Sequence, residues 1–248
     1  MIIKYGSQTI NKEDIKVTTK ILSNSYLTQG PEVLSFEDNL KKKFGVKYCC
    51  AVSSGTAALH LAVMSLSLAK DSKIITTPMT FVATSNSIIM NNLIPEFVDI
   101  EISSYTIDLN KFEHKLKKDK KIKAAIGVDY AGNICDWESL SYLSKKYNIK
   151  LINDNCHAIG TKYKGNIGYA GKYADIVTQS YHPVKAITTG EGGSILTNNK
   201  KIYERVSQLR SHGMNKSNAL KKKYGTWYYS IDKLGYNYRL TDIQSALG

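Results

Sequence analysis

Three short stretches carry residue types whose spacing allows chemistry. In "VSSGTAALHLA" (residues 52–62) an apolar strand-like run ends at Val52, a Ser-Ser-Gly turn follows and a helix begins near Thr56. Unpaired backbone N–H groups and the positive helix end then converge on one spot, which suits a phosphate supported by a hydroxyl. The same letters also describe an ordinary capping turn. In "LINDNCHAIG" (151–160) Asp154 closes an otherwise apolar strand, where a carboxylate is costly without a partner. It reads either as a helix N-cap or as the counter-charge of a protonated ring nitrogen in a bound cofactor. His157, three residues on, reads as a second contact to that ligand or as a structural histidine. In "TQSYHPVKAITTGEGG" (178–193) Lys185 lies five residues past the strand-ending Ser180, beyond Pro183, which holds the chain extended. A lysine beside Tyr181 and Val184 at a sheet end can be activated as a nucleophile by desolvation. Among 31 lysines, the alternative is one more solvated charge.

Together the three patterns narrow the choice. A phosphate cradle, a strand-end Asp about 100 residues later and a Ser-x-x-x-x-Lys about 30 residues after that are what a pyridoxal 5'-phosphate enzyme requires. Lys185 would form the Schiff base, Asp154 would keep the pyridinium nitrogen protonated, and Ser180 would support the phosphate. Phe81 in "TPMTFVAT", at another strand end, either stacks on the ring face or packs in the core.

The elements that must position these residues alternate between strand and helix. Asn11 caps a predicted helix over "NKEDIKVTTKILSN", and "PEVLSFEDNLKKKFG" repeats the helical period with Gly45 as its stop. Apolar runs at "YCCAV", "SKIITTP", "IPEFVDI", "KIKAAIGVDY", "IKLINDN", "ADIVTQS" and "GSILTNN" read as strands, several separated by helical segments. That texture predicts an α/β domain with a mostly parallel central sheet covered on both faces, and sites at the carboxyl ends of its strands.

The composition excludes some function classes. The chain has 248 residues and a formal charge of +13, but only three arginines, Arg205, Arg210 and Arg239. Base readout and bidentate phosphate clamps favour Arg, so the charge fits solvated lysine faces and not nucleic acid. The apolar runs fall short of the roughly 20 residues of a membrane span, and the N-terminus lacks signal-peptide features, which predicts a soluble, cytoplasmic protein. Cys49, Cys50, Cys135 and Cys156 show no C-x-x-C spacing, so reduced, buried thiols are expected and a zinc site is not.

In this order, "LTQGPEVLSFE", "SSGTAALH", "TTPMTFVATSN", "NDNCHAIG", "SYHPVKAITTGEGG", "RSHGM" and "GYNYRLTDIQSALG" resemble the sugar aminotransferases of the DegT/DnrJ/EryC1/StrS family, nearest its pseudaminic-acid branch. The resemblance covers residues 1–248 and implies a pyridoxal-phosphate transferase of fold type I, like aspartate aminotransferase. The chain then corresponds to an N-terminal arm and the large cofactor-binding domain, with the family's small C-terminal domain missing beyond Gly248. The implied reaction moves an amino group from L-glutamate to C4 of a UDP-linked 4-keto-6-deoxy-N-acetyl hexosamine. A GDP- or dTDP-linked 4-keto sugar is the alternative, as is an inactive truncated remnant.

The resemblance also implies roles for individual residues. Lys185 matches the Schiff-base lysine, Asp154 the pyridinium partner and His157 the residue beside the cofactor's 3-hydroxyl. Thr56, Ala57 and Ser180 match phosphate ligands, and Phe81 the stacking aromatic. Asn237 matches a residue that reaches the phosphate of a neighbouring subunit, which implies a homodimer with shared sites. Tyr5 and the segment Ser25, Tyr26, Leu27 and Thr28 match positions along the nucleotide-sugar site, with Arg239 adding charge there. Asn153 departs from the family, where many members carry Glu before the Asp.

Overall fold

The computed structural model describes residues 6–23, 26–215 and 218–248. Helices α1 (Lys12–Leu22) and α2 (Pro31–Phe44) precede strand β1 (Tyr48–Val52) and helix α3 (Gly55–Ser65). Then follow β2 (Lys73–Thr76), α4 (Ala83–Ile89), β3 (Ile94–Phe97), α5 (Leu109–Lys118) and β4 (Ile122–Val128). The middle of the chain continues through α6 (Trp137–Lys146), β5 (Lys150–Asp154), α7 (Tyr169–Tyr173), β6 (Ile176–Ser180) and β7 (Gly193–Thr197). The last elements are α8 (Lys200–Arg210), β8 (Met214–Asn215), α9 (Asn218–Tyr224), β9 (Ser230–Ile231) and α10 (Asp242–Leu247).

Seven strands form one sheet in the order β1-β7-β6-β5-β4-β2-β3, and β8 pairs with β9 separately. The run from β3 to β6 is parallel. Only β7 opposes it, pairing antiparallel with β6 and with β1. The mostly parallel sheet expected from the alternating texture is therefore present. Apolar side chains cover both faces. Cys49, Ala51, Ala125, Leu151 and Val177 pack under α2, α5, α6 and α7. Cys50, Val52, Ile126, Ile152 and Ile176 pack under α3, α4 and α8. Strands buried on both faces read as continuous apolar runs, which is why they were visible in the sequence.

Both sheet edges are managed locally. Pro95 lies in β3, an edge strand where its missing N–H costs no ladder bond. On β1, the other edge, the Ala51 N–H donates to Glu37 Oε1 at 2.8 Å and its carbonyl accepts from Arg210 Nη1 at 2.8 Å. Arg210 and Glu37 are themselves paired at 2.7 Å, with the Glu37 side chain buried. The free edge is thus occupied by side chains from α2 and α8.

Several helix ends follow the expected chemistry, and one is capped from far along the chain. Asn11 caps α1 in a capping box with Asp14. Gly45 ends α2 in the left-handed region (φ 61°) behind Lys41, Lys42 and Lys43, whose charges suit a helix C-terminus. At its start α2 has Gly30, which offers no side-chain cap. The buried carboxylate of Asp242 replaces it, accepting from the N–H groups of Gly30 at 2.8 Å and Glu32 at 3.0 Å. Among the described residues no helix is long and apolar enough to cross a membrane.

Candidate active site

Strand alternation selects the face on which the site is built. Ile152 packs under α3 and α4, so Asp154, two residues on, points to that face at the strand end. Ile176 packs there too, and its parity carries Thr178 and Ser180 to the same side. Val52 ends β1 on this face immediately before the turn into α3. The carboxyl ends of β1, β6 and β5 therefore deliver the Ser53–Ser54 turn, Ser180 and Asp154 toward one region.

At the start of α3, the Ser54 hydroxyl accepts from the Ala57 N–H at 3.0 Å. The capping reading thus holds for Ser54 and occupies the Ala57 N–H. Gly55 and Thr56 supply the first-turn N–H groups that helix geometry leaves unpaired, and Thr56 is exposed. Ser180 closes the cradle from the sheet side. A Cβ on Gly55 would lie 2.9 Å from Ser180 Oγ, so the absence of a side chain at Gly55 lets the hydroxyl stand beside the helix terminus. Backbone N–H groups, a hydroxyl and a helix N-terminus together suit a phosphate.

Asp154 is 5% exposed. One oxygen accepts from Thr84 Oγ1 at 2.9 Å and the other from the Cys156 N–H at 3.3 Å. No helix starts in residues 155–168, so the N-cap reading of Asp154 is overturned. The carboxylate keeps acceptor capacity beyond these donors, as a protonated ring nitrogen would need. Phe81, one turn before Thr84, is 66% exposed, which overturns core packing as the reason for that aromatic. It offers a flat apolar surface instead.

Lys185 is half-buried on the turn after β6, its N–H donating to the His182 carbonyl at 2.8 Å. Its charge reaches both His157 and Cys156. Burial first, then Lys185, pushes the His157 imidazole below its ordinary pKa, with Asp154 opposing. Burial pushes the Cys156 thiol well up, against the pull of Lys185. The Ala131 N–H donates to His157 Nδ1 at 3.3 Å, which leaves Nε2 to carry the proton of the neutral ring. Ala131 sits at φ 52°, in the turn that also brings the Tyr130 ring against His157. The donor set fits pyridoxal phosphate: an anion cradle, a buried carboxylate, an exposed aromatic face and an amine.

Of the remaining sequence candidates, Arg239 lies beside this cradle, and Tyr26, Leu27 and Thr28 lie along the adjoining segment. Arg239 bridges to Val52, and the Tyr238 carbonyl accepts from the Ser53 N–H at 2.9 Å. Thr28 bridges to Thr241, and the Leu27 carbonyl accepts from the Asp242 N–H at 3.0 Å. Tyr26, Leu27 and Thr28 are exposed along that seam. Asn237 is exposed and bridges to Ser211. Tyr5 and Ser25 lie outside the described residues.

Sequence reasoning overlooked Thr84, Ala131 and His60. Thr84 carried a weak signal, since it lies three residues after Phe81 where a helix starts and therefore shares a side with it. His60 is buried in α3, with Nδ1 at 3.2 Å from the Tyr238 hydroxyl and its ring edge-on to Tyr236. It ties the segment carrying Asn237 and Arg239 to the helix that opens the cradle.

Comparison with known proteins places the chain in a family. Residues 8–248 match the DegT/DnrJ/EryC1/StrS aminotransferase family. A UDP-4-amino-4,6-dideoxy-N-acetyl-beta-L-altrosamine transaminase from Campylobacter jejuni is 42% identical over 248 residues, which cover 100% of this chain and 63% of the relative. The solved structure of Helicobacter pylori PseC, an aminotransferase involved in the biosynthesis of pseudoaminic acid, superposes with a TM-score of 0.91 at 34% identity, covering 100% of this chain and 64% of that one. NtdA from Bacillus subtilis, solved with bound cofactor PMP, gives 0.84 at 26% identity, covering 96% and 52%. The chain thus spans less than two thirds of the length of these relatives, and within that span it belongs to the DegT/DnrJ/EryC1/StrS aminotransferase family.

Proposed function

We propose that the protein containing this chain is a pyridoxal phosphate-dependent aminotransferase that moves an amino group from L-glutamate to C4 of a UDP-linked 4-keto-6-deoxy-N-acetyl hexosamine. The observation that carries the reading is the convergence of Asp154 and Ser180 on the face that holds the start of α3. The 42% identity to a transaminase named for a UDP-linked 4-amino sugar supports the choice of nucleotide. When bound, the cofactor supplies an electron sink that lets an amino acid's α-proton leave.

The chain's own residues do the rest. Gly55, Thr56 and Ser180 hold the phosphate. Asp154 holds a proton on the ring nitrogen by its negative charge and keeps its own carboxylate oriented through Thr84. Phe81 covers one ring face and excludes water there. His157, whose Nδ1 accepts from the Ala131 N–H, would donate from Nε2 toward the cofactor's 3-hydroxyl side. Lys185 would hold the cofactor, and its free Nζ would take up and return the proton exchanged at the reacting carbon. Arg239 and the Tyr26–Thr28 seam flank the nucleotide. Asn237, which is exposed, would reach a second copy's phosphate in a homodimer.

The test is covalent trapping in the full-length protein. Borohydride reduction with pyridoxal phosphate should mark the peptide carrying Lys185, and Lys185→Ala should abolish both marking and transamination. Marking at another lysine, or turnover retained in Lys185→Ala, overturns the assignment. UDP-, GDP- and dTDP-linked 4-keto sugars offered with glutamate then separate the nucleotide choices.

A further inference from the structure

We propose that Thr84 is a positioning residue that sets the Asp154 carboxylate relative to the Phe81 ring. This rests on the cofactor reading above. Thr84 is completely buried, and its Oγ1 stands 2.9 Å from Asp154 Oδ2. Thr80 Oγ1 stands 2.8 Å from the same Thr84 oxygen. An ionised carboxylate has no proton to give, so Thr84 donates to Asp154 and Thr80 donates to Thr84. The hydroxyl chain therefore has one direction.

The chain also has a mechanical consequence. The Thr84 N–H donates to the Phe81 carbonyl at 3.1 Å, so Phe81 and Thr84 belong to one hydrogen-bonded turn, flanked by Thr80. The aromatic face and the hydroxyl that grips Asp154 move together. Asp154 also accepts from the Cys156 N–H at the longer 3.3 Å, and the Cys156 thiol lies within hydrogen-bonding reach of it. Thr84 is thus the contact that indexes the carboxylate, at the ring's edge, to the platform at its face. A charge-assisted bond of this kind is stronger than a neutral one, and losing it frees the carboxylate to turn.

A double-mutant cycle on the full-length protein tests this, with the dissociation constant for pyridoxal phosphate as readout and urea unfolding of the cofactor-free form as control. Thr84→Val, which keeps the shape and removes the hydroxyl, is expected to weaken binding about 10-fold. Thr84→Ser restores affinity to within about twofold, and Thr84→Ala serves as a second hydroxyl-free variant. In an Asp154→Asn background, Thr84→Val should change affinity by less than about twofold, because the two residues act as a unit. An unchanged constant in Thr84→Val and Thr84→Ala, or the same loss in both backgrounds, overturns the proposal. A wild-type protein that binds no pyridoxal phosphate overturns the cofactor reading itself, a result distinct from binding without coupling.

Discussion

Alanine at position 55 is expected to weaken cofactor binding by acting on Ser180. The added Cβ would lie 2.6 Å from Ser180 Cβ and 3.3 Å from its Cα. Ordinary contact starts at 3.4 Å, so helix and strand must part by about 0.8 Å. Neither side yields easily: Ser180 is buried and paired with Gly193 in β7, and α3 packs along β6. Overpacking of this kind costs about 1–3 kcal/mol of stability. The displacement also draws the Ser180 hydroxyl away from the anion, a charge-assisted bond worth about 1.5–3 kcal/mol. The dissociation constant for pyridoxal phosphate should therefore rise about 10- to 150-fold. Urea unfolding of the cofactor-free protein reads the first effect and cofactor titration the second. Gly55→Ala combined with Ser180→Gly removes the atom that is struck, so stability should return while affinity stays weak for want of the hydroxyl. Wild-type affinity in Gly55→Ala would refute the reasoning, and so would a stability deficit that persists in the double variant.

Two further outcomes follow from the buried polar groups. Arg210→Met leaves Glu37 buried without its cation at the β1 edge and is expected to destabilise the fold by about 3–5 kcal/mol in urea unfolding; a loss below about 1 kcal/mol would show the pair to be dispensable. Burial lowers the His60 imidazole from its usual 6.5, so the folded protein disfavours its proton and unfolding takes one up. The corresponding stability is fully present above pH 6.5 and is lost as the pH falls through that value toward the lower folded one, with His157 acting in the same direction. His60→Phe should flatten this part of the pH profile, and an unchanged slope would assign it elsewhere.

Local pattern made the sheet and half of the site legible. Asp154 stood out because a carboxylate closed an apolar strand; the two-residue period, once β5 and β6 are paired, places it with Ser180 on one face. What pattern could not show were contacts between distant residues. Arg210 reaches Glu37 across 173 positions and Asp242 caps α2 across 212, and nothing near either residue announces its partner. Thr84 and Ala131 are smaller cases of the same problem. A threonine in a first helical turn and an alanine at positive φ acquire meaning only when β5 and its loop are set beside them.

The same alternation separates Asn153 from the side-chain surroundings of its neighbour Asp154. Asn153 faces away from α3, toward Asp129, to which its side-chain amide donates at 3.1 Å. Asp129 is buried, and burial raises its pKa, but five donors oppose that: the Cys135 N–H, the Trp137 indole, the Asn153 and Asn155 amides and the Tyr169 hydroxyl. A glutamate at 153 would set a second carboxylate against this cage, whereas Asn supplies a donor that the cage uses. The Asp129 N–H in turn donates to the Asp154 carbonyl at 3.1 Å. The far face thus fixes the backbone on which Asp154 stands, while the near face, through Thr84, fixes its side chain. Position 153 is therefore answerable to Asp129, while the carboxylate at 154 keeps Thr84 and the Cys156 N–H on the other face.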